Sequence, residues 1–236
     1  MTNTLQLRLL AALLMTSAAS LHGQRSPDPT GHWKGAISAP GRQFRFEADF
    51  FLNPQGKVSG VIALPDEHLT GIPLKISVSG SSLKFHARDD QPLDGEISAD
   101  GTQIHGEATV EGNVLPFVMR RTGDAVPAKP VAGVALPDNL QGAWSGILDV
   151  GGVPHRLILN LTKAEGNASV ASLVNVEEGG LELPVVLRRS TPGLEVEIPT
   201  GGNWTGTLSA NGQELIGWYR EAGQALPLTF HRAAIH

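Results

Sequence analysis

The sequence predicts an all-β protein built from two tandem small antiparallel up-and-down β-barrels of about eight strands each. Three observations carry this: apolar residues that alternate with period two, closely spaced turn residues, and an internal repeat. Phe44, Phe46, Ala48 and Phe50 alternate with Arg45, Glu47 and Asp49, and Leu157, Leu159 and Leu161 alternate with Arg156, Ile158 and Asn160. Successive side chains of a strand point to opposite faces, so this pattern gives each strand one apolar side. Asn53-Pro54-Gln55-Gly56, Ser79-Gly80-Ser81, Asp100-Gly101 and Glu111-Gly112-Asn113 interrupt the alternation at short intervals. The 28 glycines and 16 prolines in a chain that is 41% hydrophobic fit many turns rather than low complexity.

The repeat sets the domain plan. At an offset of 111 residues, Gly31, Trp33 and Gly35 fall on Gly142, Trp144 and Gly146, while Leu115, Pro116 and Arg121 fall on Leu226, Pro227 and Arg232. Between these ends Arg45 matches Arg156, Pro73 matches Pro184, and Gly95, Ser98, Ala99 and Gly101 match Gly206, Ser209, Ala210 and Gly212. One offset holding at both ends of a long segment marks a duplicated unit. The copies are expected at 31–121 and 142–233, with a Pro-containing extended linker at 122–141.

In chain order, residues 1–23 read as a secretory signal peptide with its cleavage zone. Arg8 precedes the apolar run Leu9–Met15, and the small residues Ser17, Ala18, Ala19 and Ser20 follow. Cleavage is expected after Ala19, with Gly23 as second choice. The run falls short of the roughly 20 apolar residues that cross a bilayer. Residues 24–30 form a polar leader. Strands of the first copy are expected at 32–38, 43–52, 57–64, 72–79, 82–88, 93–98, 103–110 and 114–121, and no helical period follows the signal segment. Asp100-Gly101 and Asn211-Gly212 suit tight hairpins in which both central residues take positive φ. With no helix to cover the apolar faces, each sheet must curl into a small barrel or a flattened sandwich.

Parity sharpens the picture. Trp33, Gly35 and Ile37 share one face of the first strand, as do Trp144, Gly146 and Leu148. Leu115, Phe117 and Met119 share the face of Arg121, and Leu226, Leu228 and Phe230 share that of Arg232. If the apolar face points inward, each Arg does too. An inward charge needs a partner, and the neighbouring Trp ring offers a cation–π contact worth about 1 kcal/mol or more when desolvated.

A Gly-x-Trp on the first strand (Gly31-His32-Trp33 and Gly142-Ala143-Trp144) with an Arg closing the last (Arg121 and Arg232) resembles the signature of calycins, the superfamily of lipocalins, fatty-acid-binding proteins and avidins. The units are also similar to the GxWxG β-region that precedes the α/β-hydrolase domain of some secreted bacterial esterases and peptidases. The resemblance implies calycin-like barrels with a Trp–Arg closure formed by Trp33 with Arg121 and Trp144 with Arg232. It also implies an interior that could hold a small apolar ligand.

Composition excludes several functions. The net charge of −5, without a Lys/Arg run, argues against nucleic acid and against a polybasic membrane patch. The absence of cysteine removes disulfides, a thiol nucleophile and thiolate metal sites, and fits bacterial export to the periplasm or outside the cell. No Gly-x-Ser-x-Gly nucleophile elbow is present. The eight histidines form no ligand pair, so neither metal nor cofactor is expected. Glu67 and Glu178 coincide in the repeat but read as solvated turn residues, since each copy offers only one. No catalytic residue emerges, and the expectation is a non-enzyme.

The aromatic set Phe44, Phe46, Phe50 and Phe85, together with Leu157, Leu159 and Leu161, is the candidate apolar lining; core packing explains these residues as well. In the second copy, Trp204 is expected to face inward and one of Trp218 and Tyr219 outward, where an aromatic could contact a ligand or partner. The reading is an exported non-enzymatic binding module, with a small apolar ligand inside a barrel. The alternative is a solid-core structural or protein-interaction module accessory to a separate secreted hydrolase. No membrane span is expected after signal cleavage.

Overall fold

A computed structural model describes residues 26–127, 129, 132–164 and 168–233. The signal-peptide segment and the first two leader residues lie outside these. Among the described residues sixteen strands form two closed antiparallel barrels, each with its strands in chain order. Barrel 1 comprises β1 (Gly31–Ala39), β2 (Arg42–Leu52), β3 (Val58–Leu64), β4 (Leu69–Ser79), β5 (Ser82–His86), β6 (Leu93–Ile97), β7 (Gln103–Val110) and β8 (Asn113–Gly123). Barrel 2 comprises β9 (Gly142–Val150), β10 (Val153–Lys163), β11 (Ser169–Asn175), β12 (Leu181–Ser190), β13 (Gly193–Glu197), β14 (Asn203–Leu208), β15 (Glu214–Glu221) and β16 (Gln224–Arg232). The first strand of each barrel pairs with the last, which leaves no open sheet edge. Among the described residues there is no α-helix, and no helix long and apolar enough to cross a membrane.

The expected strands differ from these mainly at β4. It begins at Leu69 rather than residue 72, directly after a 3₁₀ turn at Pro65–Glu67 that ends on His68 in the left-handed region, φ 57°. The expected hairpin geometry is corrected at Asp100-Gly101. Among the described residues the left-handed non-glycine residues are His68, Glu111 and Ala222, and Asp100 is not one of them. Its carboxylate instead accepts from Ser98 Oγ and the Thr102 amide, organising a five-residue loop, and Asn211 does the same with Ser209 and Gln213. Two-residue hairpins in which both residues do take positive φ are found at Glu111-Gly112, Gly151-Gly152 and Ala222-Gly223.

Alternation fills each interior. In barrel 1, Trp33, Phe46, Phe50, Phe85, Phe117 and Met119 are buried. Phe50 lies edge-on to Phe85 at 5.3 Å between centroids, and Phe85 to Phe117 at 6.1 Å. The packing leaves so little room that a methyl group on Gly35 would stand 2.6 Å from Phe46 Cζ and 2.8 Å from Met119 Cγ. In barrel 2 the core is Trp144, Trp204, Phe230 and a set of leucines and valines.

One end of each barrel is closed by the segment that enters it. Trp33 Nε1 donates to Pro29 O at 2.9 Å, and Trp144 Nε1 donates to Leu140 O at 2.9 Å. Arg121 stands over the Trp33 ring at 5.1 Å and donates to Asp28 O. Arg232 stands over Trp144 at 4.2 Å and donates to Gln141 O and Asn139 O. Gly31 opens β1 with φ +140°, and a Cβ there would lie 3.1 Å from Arg121 Nε, so glycine serves both the bend and the guanidinium. The linker is more than an extended spacer. Gly133 bridges to Ser169, Asp138–Leu140 forms a 3₁₀ turn, and Val134, Leu136 and Leu140 pack on the barrel 2 core.

At the opposite end the barrels meet. β4 lies against β12, its counterpart in the repeat, and Leu181 and Leu183 of β12 pack against the barrel 1 core. The Asp89 amide donates to Gly179 O at 2.8 Å.

Candidate ligand cavity

The mouth of barrel 2, away from its Trp–Arg end, encloses a cavity of about 470 Å³. That size falls within the roughly 300–1,000 Å³ of small-molecule sites. Its walls follow from strand parity: Leu148 on β9, His155 and Leu157 on β10, Leu173 and Asn175 on β11, Leu181 and Leu183 on β12, and Tyr219 on β15. These are the inward-facing positions of strand ends that run past the packed core. Below them Leu159, Trp204, Leu228 and Phe230 form a nearly solid floor with a void of only about 10 Å³. Trp204 is fixed there by Nε1 donating to Leu228 O at 2.9 Å.

The rim is polar and comes from both barrels. Barrel 2 contributes Glu178 and Glu221, and barrel 1 contributes Glu67 and Arg88. The Tyr219 hydroxyl donates to Glu221 Oε2 at 2.7 Å. Burial, and then the adjacent Glu221 carboxylate, push the phenol well above its usual range, so it stays protonated and acts as a donor. Arg88 is held by Asp90 through two hydrogen bonds of 3.1 and 2.9 Å, which raise the guanidinium above its ordinary value and lower the Asp90 carboxyl. Asn175 Oδ1 is buried with no partner, and an orphaned acceptor on a cavity wall is one that a ligand donor can satisfy.

The predicted lining residues divide sharply. Leu157 lines the cavity and Leu159 its floor, but Leu161 is buried near the Trp144 end, paired with Gly142 across β9. Phe46, Phe50 and Phe85 are packed ring against ring, which corrects the expectation of a cavity among them. Phe44 is outside the barrel 1 core altogether. It lies at the strand's open end, half-buried, with the Arg42 guanidinium 3.9 Å above its ring. Glu67 and Glu178 are exposed as expected, yet both stand at this rim; their coincidence in the repeat was the available signal. His155, Asn175 and Tyr219 were not singled out as lining residues. Among the described residues, no group of three or more His, Asp or Glu side chains is placed to hold a metal ion. The arrangement suits binding.

No family model matches the chain, and neither does any curated protein. Two solved structures resemble it weakly. A Nostoc punctiforme protein of unknown function from the DUF3598 family is 11% identical, with 86% of this chain and 96% of that one covered, at a TM-score of 0.25. A Bacteroides fragilis protein described as a candidate outer membrane protein is 7% identical, with 86% and 97% covered, at a TM-score of 0.23. At such scores neither likeness bears on the role of this chain.

Proposed function

We propose that the protein is an exported, non-enzymatic, calycin-like binding module whose second barrel holds a small, largely apolar ligand at its mouth. The observation that carries this is the leucine-walled cavity above the Trp204 floor, in a barrel whose other end is sealed. Barrel 1, filled by phenyl rings, supports the second reading for its own half: a solid structural or interaction module that also supplies the rim residues Glu67 and Arg88. The apolar run and small residues near the N-terminus support export to the periplasm or beyond.

The test is titration of the mature protein with the apolar fluorophore N-phenyl-1-naphthylamine, alongside native mass spectrometry for a co-purified lipid. The expected result is saturable binding, lost in Leu173→Trp, which fills the cavity, and kept in Leu83→Val in barrel 1. No binding, or equal binding in Leu173→Trp, would overturn the reading.

A further inference from the structure

The outer wall of barrel 2 carries a second feature, which borders the cavity at Ile198 and Glu221. A groove of about 740 Å³ lies at the ends of β13, β14 and β15 and the turns that follow them; Glu195, Asn203, Arg220 and Gln224 are among its lining residues, and Trp218 stands outside it, next to Arg220. Trp218 lies two residues before Arg220 on the same face of β15, directly opposite Thr205 of β14. Its side chain is 49% exposed, whereas Trp33, Trp144 and Trp204 are at most 1% exposed. We propose that this groove and Trp218 form a carbohydrate-binding site that takes a segment of a glycan chain.

The chemistry points to that class. A pyranose has a face of C–H bonds and an edge of hydroxyls, each of which donates and accepts. The C–H face suits a flat exposed indole, whose π face carries the negative end of its quadrupole. The edge needs donors and acceptors side by side, and the groove offers both. Asn203 Nδ2 donates to Glu195 Oε1 at 2.9 Å, which leaves the amide oxygen and the remaining carboxylate lone pairs to accept. Arg220 Nη1 donates to Thr205 Oγ1 at 2.6 Å, which ties the guanidinium to the residue paired with Trp218 across the sheet. Among the described residues no carboxylate pairs with Arg220, so its other N–H groups remain available.

The repeat supplies an internal control. At the positions of Trp218, Thr205, Arg220 and Asn203, barrel 1 has Glu107, Asp94, Thr109 and Pro92. There Asp94 pairs with Lys84 at 3.1 Å, an ordinary charged barrel wall. The fold therefore has no need of an outward indole at this register, and Trp218 is no part of the barrel 2 core.

Trp218, as the one exposed indole of the four, is also the reporter. The mature protein is titrated with cellohexaose, chitohexaose, maltohexaose and xylohexaose, followed by tryptophan fluorescence with iodide quenching and by calorimetry. Expected is saturable binding of at least one glycan that protects Trp218 from iodide. Affinity should fall about tenfold or more in Trp218→Ala, partly return in Trp218→Tyr, and fall severalfold in Arg220→Ala, with the melting temperature held. Leu173→Trp, which blocks the cavity, should leave glycan binding intact, so failure of either site is read separately. Three results would overturn the proposal: no binding of any of the four at about 10 mM, binding indifferent to Trp218→Ala, or a dimer that Trp218→Ala converts to monomer in sedimentation.

Discussion

The two barrels share strand order, hairpins and a Trp–Arg end, but they put their aromatic volume in different places. Barrel 1 has Phe46, Phe50, Phe85 and Phe117 where barrel 2 has Leu157, Leu161, Val196 and Leu228. Barrel 2 instead places Trp204 and Tyr219 where barrel 1 has Leu93 and Ala108. The phenyl rings of barrel 1 come from three strands, β2, β5 and β8, and meet at its centre. The rings particular to barrel 2, Trp204 and Tyr219 with Phe230 in place of Met119, come from the consecutive strands β14, β15 and β16 and leave the β10 and β11 side to leucines, so the mouth stays hollow. In a barrel of fixed strand number, the distribution of bulk around the ring decides between a filled and an open interior.

The shared end should respond most strongly. Trp33→Ala is expected to destabilise barrel 1 by ~3–5 kcal/mol, and Trp144→Ala to do the same to barrel 2. Urea unfolding followed separately for each barrel would read this, and a loss below about 1 kcal/mol in either would break the equivalence of the two ends. Next comes a reciprocal exchange of the filled and hollow registers. Phe46→Leu should cost barrel 1 about 1–2 kcal/mol by leaving a void, whereas Leu157→Phe should change barrel 2 by less than about 1 kcal/mol while weakening fluorophore binding. Equal costs would mean that the two interiors are equally packed.

An effect of similar size is expected where the barrels touch. Gly179 has φ +63°, and a Cβ there would collide with the Asp90 carboxylate; its repeat counterpart His68 takes nearly the same φ as a non-glycine. Gly179→Ala should cost about 1–2 kcal/mol and speed hydrogen exchange at the Asp89 amide, while His68→Gly should be near neutral. The smallest effect is one of pH. Lys75 lowers the Asp89 carboxyl and Arg88 lowers that of Asp90, both mainly through hydrogen bonds. Their stabilisation is complete above the ordinary carboxylate value of about 4 and fades as pH falls through the lowered native values. Exchange at the Asp89 amide, once corrected for intrinsic rates, should therefore rise as the pH falls below about 4. Both carboxylates are exposed, so the change should be slight.

Much of this architecture is legible in the residues. Period-two runs and one repeat offset place the strands to within a few residues, because a half-buried strand must alternate. Parity alone brings Arg121 beside Trp33, since both occupy inward positions on strands that close the ring. Packing volume is less legible. Phe44 and Phe46 have the same parity, yet one lies under Arg42 at the rim and the other in the core, because depth along the barrel is set by strand stagger. The carbonyl partners of each indole lie in the chain that precedes its barrel, where there is no periodic pattern to read. The cavity depends on Tyr219 and Asn175, whose roles emerge only when three or more strands are assembled.

The way each incoming segment is tied down bears on how the halves can be separated. Arg232 reaches back 93 residues to Asn139, and Arg121 reaches back 93 residues to Asp28, so the seal is made between the earliest and latest parts of each half. Neither half can complete its seal on the ribosome until its final strand has emerged, a long-range closure of the kind that slows folding. A fragment cut at Gly142 would lose the piece that its own arginine holds. To survive excision, the second half must start upstream of Gly133, where the polypeptide first joins the sheet it will later stopper.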